Sequence, residues 1–280
     1  MKERNNVILV PINFSDRSYK GIEIAGDLAE RWGAVVVFLH VISLPVYEGL
    51  KDKQTEYLAT LRKYAEKKLE EMKPLISNAS VQIDTKVLKG KAIPEILRYA
   101  SHNNVRLLIL GSKQYNNMDE MLEGTSTERI LRYADCPVLT VKENYDVTQI
   151  KDIVFATDLK PTSTYITNEL KKLQEITGAT LHLLKVNTKN DWVTDREAER
   201  QLNEFNEVHG LSDFKFVNAN AETVEEGILN YAQKHEADMI AMSTHTMNKM
   251  PVGINRYFIT EKIMQSMPKL LWTCVPKDTY

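Results

Sequence analysis

The strongest constraint on this 280-residue chain is that its pattern of elements runs twice. Val7–Ile12 (VILVPI) reads as a buried strand, followed by a helical stretch from Asp16 to Trp32 and a second strand at Ala34–Val41 (AVVVFLHV). A charged helix follows over roughly Lys51 to Ile76, with Tyr57, Leu58, Leu61, Ala65 and Leu69 at three- and four-residue spacings. Val81–Leu88 alternates as a strand, Ile93–His102 reads as a helix and Val105–Leu110 as a buried strand. Ser126–Tyr133 predicts a helix and Val138–Val141 a last strand. The order then restarts at Lys151–Thr157. GATLHLLKV at Gly178–Val186 matches GAVVVFLHV at Gly33–Val41, and Asn13 falls opposite Asp158 at the same offset of 145 residues. Ala237–His245 parallels Val105–Lys113, and Thr260–Met264 parallels Thr127–Leu131, at offsets of 132 to 133. Ordered matches over so many elements mean duplication.

Continuous apolar strands alternating with helices require a parallel sheet covered on both faces, an α/β fold. The repeat divides the chain into a first domain over 1–143 and a second over 150–280, joined by a polar linker near Lys142–Ile150. With 43% apolar residues, each half has material for its own core.

The totals exclude several classes of function. A net charge of −2 with interspersed signs leaves no basic surplus for nucleic acid. No apolar run reaches bilayer length, and the opening MKERNNVILVPINF has no secretory cleavage pattern, so a cytoplasmic protein is expected. Cys136 and Cys274 lie far apart without metal-type spacing, which argues against a disulfide framework and a zinc site. The sequence has neither a G-x-S-x-G elbow nor a P-loop, and no cluster of acid–base residues, so catalysis is not expected. His40 and His182 lie inside second strands and read as packed residues, while Trp272 reads as a core or strand-pairing contact.

Ligands of parallel sheets bind beyond the carboxyl ends of the strands, where strand order reverses. After the fourth strand comes LGSKQYNNMDEMLEGTSTERIL. Gly111 permits a close backbone approach, and Gly124-Thr125-Ser126-Thr127 opens a helix, a ready place for phosphate. The same run also serves as an ordinary helix cap with Glu128, and both readings stand.

This layout resembles the universal stress protein (UspA) family, whose nucleotide-binding members carry G-x-x-G, nine residues, then G-[S/T]. Here Gly111, Gln114 and Gly124-Thr125 reproduce the spacing, with Gln114 in place of the second glycine. VILVPINFSDRS, LKGKAIPEIL and ILRYADCPVLTV are similar to the family's opening, third crossover and closing segment. The resemblance implies two tandem Rossmann-like domains of the adenine nucleotide alpha hydrolase type. Each is an open five-stranded sheet of order 3-2-1-4-5, and the last strands meet as a built-in dimer. It implies an adenine nucleotide, ATP or AMP, in the first domain, with Mg only alongside ATP. The residues implicated are Asn13, Val41, Leu110, Gly111, Gln114, Gly124, Thr125 and Ser126. Asn13 stands where nucleotide-binding relatives have Asp.

The second copy keeps Asp158 and Val186, but Ser243 replaces the first glycine and the Gly-Thr pair falls near Tyr257-Phe258, so it is expected to be structural and to hold no nucleotide triphosphate, a different small ligand being left open. A homodimer of tandem chains and protein partners are further expectations. The alternatives are a nucleotide-free interaction protein and a slow ATPase, the latter needing Asp16 or Asp119 to hold metal.

Overall fold

A computed structural model describes residues 6–43, 51–112, 126–160, 163–244, 257–266 and 269–275. The first half contains strands β1 (Val7–Pro11), β2 (Val35–Ile42), β3 (Ile83–Lys89), β4 (Val105–Gly111) and β5 (Val138–Val141). Its helices are α1 (Asp16–Tyr19), α2 (Ile22–Trp32), α3 (Lys51–Met72), α4 (Ala92–His102) and α5 (Ser126–Tyr133). The second half repeats the order. Its strands are β6 (Asp152–Ala156), β7 (Thr180–Asn187), β8 (Phe214–Asn220), β9 (Met239–Ser243) and β10 (Leu270–Cys274). Between them run α6 (Thr164–Thr177), α7 (Asp195–His209), α8 (Val224–Lys234) and α9 (Tyr257–Ser266).

All ten strands form one sheet in the order β3-β2-β1-β4-β5-β10-β9-β6-β7-β8, so each half has the expected order 3-2-1-4-5. Pairing within each half is parallel. The halves join where β5 and β10 run antiparallel, with Val141 opposite Leu270 and Leu139 opposite Trp272. Trp272 is therefore both a strand-pairing and a core residue, as its setting in LLWTC predicts.

The strands are apolar throughout because helices cover both faces. On one face, Ile8, Val10 and Phe38 pack with side chains of α2, α3, α6 and α7. On the other, Leu9, Leu108 and Leu110 pack with α4, α5, α8 and α9. Each of these cores runs without a break across both halves. Gly33 and Gly178 close α2 and α6 with φ of 59° and 66°, the left-handed turn that a glycine C-cap supplies.

Three local departures from the sequence reading have physical causes. The stretch Asp16–Trp32 is two helices, broken at Gly21, where an added Cβ would stand 2.7 Å from Ile109 Cγ2. The helix from Lys51 stops at Met72 and tightens into a 3₁₀ turn over Lys73–Leu75, since Pro74 cannot donate to the helical ladder. On α3, Ala65 and Leu69 are buried, whereas Tyr57 faces solvent.

The segment between β5 and β6 is packed against both halves. The Lys142 amide donates to Lys269 O at 3.2 Å, and Val147 and Ile150 are buried. The Tyr145 hydroxyl donates to Asp238 at 2.5 Å. Asp238, at the foot of β9, also accepts from Lys269 Nζ at 2.6 Å and from the amides of Lys151 and Asp152. Burial by itself would raise the Asp238 carboxyl, but these donors outweigh it and hold it below the usual carboxylate range. Burial and the adjoining carboxylate push the Tyr145 phenol up to about 12.

Leu271, fully buried in β10, tests the seam. Leu271→Ala should cost roughly 2–5 kcal/mol in urea unfolding, with both halves lost in one transition; two separate transitions would contradict a shared core. Asp238 tests the linker. Its lowered folded pKa stabilises the protein fully above the unfolded carboxylate pKa of about 3.9, and this contribution is lost as pH falls through the folded value. Asp238→Asn should lower stability at neutral pH and flatten that acid dependence, as read by thermal unfolding across the acid range.

Candidate functional site

In the first half, β2, β1 and β4 are neighbours, so their carboxyl ends bring Asn13, Val41, Leu110 and Gly111 to one edge. Asn13 is exposed, and its Oδ1 accepts from the Ser15 amide at 3.1 Å and the Ser15 hydroxyl at 2.6 Å. This Asx turn carries the chain over Phe14, a bulky residue held at φ 60°. The second half builds the same turn 145 residues later: Leu159 sits at φ 57°, and Asp158 Oδ1 accepts from the Lys160 amide at 3.2 Å. Both Asn13 and Asp158 therefore have a structural task that needs only an acceptor oxygen.

Val41 is half-buried at the end of β2, and Leu110 is buried. Gly111 is required for a reason the sequence does not show. An added Cβ would lie 1.7 Å from the Arg17 carbonyl oxygen of α1, so the close approach it permits is that of its own chain. Ser126 opens α5, whereas Gln114, Gly124, Thr125 and Asp119 lie outside the described residues. Asp16 heads α1 and is exposed. His40 is tied to the fold through Nδ1 and Ile12 O at 2.7 Å and stacks on Phe14 at 4.5 Å. His182 is likewise packed, between Asp152 and Tyr231 at 2.8 Å each.

The second half, expected to be structural, contains a cleft of about 370 Å³ at the carboxyl ends of β6, β7 and β9. Asp158, Val186, Met242 and Ser243 line it, the counterparts of Asn13, Val41, Leu110 and Gly111. Its walls are largely apolar, through Leu184, Ile228 and Ile259. One wall comes from the other half, where α5 contributes Glu128, Leu131 and Arg132. Asp158 is paired with Lys160 at 3.3 Å. Lys185, only 3% exposed, has no hydrogen-bond or ion-pair partner among the described residues, and the buried Thr244 hydroxyl has none either. Sequence reasoning assigned no role to these two residues. The available signal was a lone lysine inside an apolar strand, at the position His40 holds in the first copy.

The Gly111 contact is directly testable. Gly111→Ala should displace α1 or β4 and cost about 1–3 kcal/mol in thermal or chemical unfolding. An unchanged melting temperature would contradict the packing of Arg17 over this glycine.

Against known proteins, a profile of the universal stress protein family matches residues 5–142. A universal stress protein of Methanocaldococcus jannaschii is 27% identical over 138 residues, covering 49% of this chain and 81% of that protein. Another, from Bacillus subtilis, is 28% identical over 146 residues, covering 49% of this chain and 99% of its own length. The crystal structure of a universal stress protein from Archaeoglobus fulgidus matches the whole fold. Its TM-score is 0.77 at 19% identity, with 98% of this chain and 99% of that one covered. Through residues 5–142 the chain belongs to the universal stress protein family, and a second domain of the same fold follows in tandem.

Proposed function

We propose that the protein is a non-catalytic stress-response module whose first domain takes an adenine nucleotide, ATP or AMP, at its strand-end edge. The observation that carries this reading is the convergence of Asn13, Val41, Leu110 and Gly111 on that edge, with Ser126 opening the helix that follows. Val41 would lie against the base, Asn13 would bond a ribose hydroxyl through its amide, and Gly124, Thr125 and Ser126 would hold phosphate. These roles rest on the family's motif and its spacing in this chain. The second domain acts as the permanent partner, so the chain works as an intrachain pair. Mg enters only with ATP. A slow ATPase would need a carboxylate beside the phosphates, the role open to Asp16 or Asp119.

A second reading, an interaction protein without nucleotide, is favoured by one specific observation. The Asn13 oxygen and the Gly111 backbone are already engaged by Ser15 and Arg17. Among the described residues no helix is long and apolar enough to cross a membrane, and no cluster of three or more His, Cys, Asp or Glu side chains could hold a metal ion.

Mass spectrometry of the denatured protein, with calorimetric titration of ATP and AMP into the emptied chain, decides between the two readings. Nucleotide released in near-equal amount to protein supports the first; neither nucleotide nor heat supports the second. Gly124→Val should abolish nucleotide binding while leaving the circular dichroism spectrum unchanged. Unaltered affinity would place the phosphates elsewhere.

A further inference from the structure

We propose that the second-half cleft is a binding site for a small organic anion with an apolar body, anchored by Lys185 and closed by helix α5 of the first half. A lysine largely withdrawn from solvent without a counter-charge is unfavourable, and chains avoid it unless something else supplies the opposite charge. Lys185 is 97% buried by its 3% exposure, and it lines a cleft of about 370 Å³. Three carboxylates, Glu128, Asp158 and Asp191, line the same cleft: Asp158 is committed to Lys160 at 3.3 Å and to its own turn, and neither Glu128 nor Asp191 forms an ion pair with Lys185 among the described residues. The corresponding residue of the first copy, His40, satisfies itself on a backbone carbonyl, so the fold does not need a cation at this position. Thr244, which lines the same cleft, adds a buried hydroxyl without a hydrogen-bond partner.

The remaining lining sets the rest of the ligand. Leu184, Val186, Ile228, Met242 and Ile259 offer an apolar surface to a hydrocarbon or aromatic body. The volume falls within the usual range for small-molecule sites of about 300–1,000 Å³. An anionic head on Lys185, assisted by the Thr244 hydroxyl, leaves that body against the apolar wall. The head group is a carboxylate or a phosphate monoester, both of which form a charge-assisted hydrogen bond with an ammonium. Because Leu131 and Arg132 of α5 also line the cleft, the site exists only when both halves are assembled.

The test uses the full chain and four probes: hexanoate, butyl phosphate, the neutral hexanamide and AMP. Calorimetry should show hexanoate or butyl phosphate binding about tenfold or more tightly than hexanamide, with that preference lost in Lys185→Met. Which of the two anions is preferred identifies the head group. In the absence of any probe, Lys185→Met should melt at a higher temperature than the parent, because a charge largely withdrawn from solvent and without a partner is removed; a structural lysine would give the opposite shift. AMP affinity should be the same in parent and variant. The proposal is overturned if hexanamide binds as well as the anions, if neither anion binds, if Lys185→Met leaves their affinity unaltered, or if that variant melts lower or fails to fold. Loss of AMP binding in Lys185→Met would also overturn it, by placing the nucleotide itself in this cleft.

Discussion

The antiparallel pairing of β5 with β10 is the contact on which the architecture depends. A parallel five-stranded sheet ends on each side in a row of unpaired backbone groups, which must be covered or blunted. Each half leaves its last strand bare, and the other half covers it: Val138–Val141 meets Leu270–Thr273. Two open sheets thereby become one of ten strands, and both hydrophobic layers become continuous. The connecting segment reinforces the seam, since Tyr145, Val147 and Ile150 leave solvent for the same core and the Asp238 cluster ties them down. The fusion therefore joins the domains through one sheet and two shared cores.

That joint also builds the cleft. With β5 and β10 side by side, α5 of the first half lies where it can wall the strand ends of the second, and Leu131 and Arg132 line space belonging to β6, β7 and β9. The first-half edge shows a different economy of groups. There the Asx turn at Asn13 and the crossing of Arg17 over Gly111 consume the polar and small residues that the motif offers.

Much of this was legible in the sequence, for identifiable reasons. Strands buried on both faces must be apolar throughout, so VILVPI, AVVVFLHV and VRLLIL announced themselves, and their repetition announced the tandem fold. What escaped depends on contacts between segments distant in sequence. Gly21, between two helices, is small because Ile109 lies against it, and Gly111 is small because Arg17 passes over it. A glycine in sequence says that something comes close without saying what. Lys185 escaped for another reason. A lysine inside an apolar strand is visible as an oddity, but its meaning depends on whether an acid reaches it, and only the assembled walls answer that. The first-half motif at Gln114, Gly124 and Thr125 lies outside the described residues, so the sequence and its family likeness remain its support.

Joining two copies in one chain has a consequence that two identical subunits could never realise. In a two-fold homodimer, every substitution occurs twice, and the two pockets must evolve as one. Here the covalent link has broken that bond of identity. Position 40 can hold a histidine while its counterpart, 185, holds a lysine, and residue 111 can remain glycine while 243 is serine. The residues at the two strand ends differ while one seam holds the pair. The molecule is a dimer in architecture and a heterodimer in chemistry, at a fixed ratio of one to one.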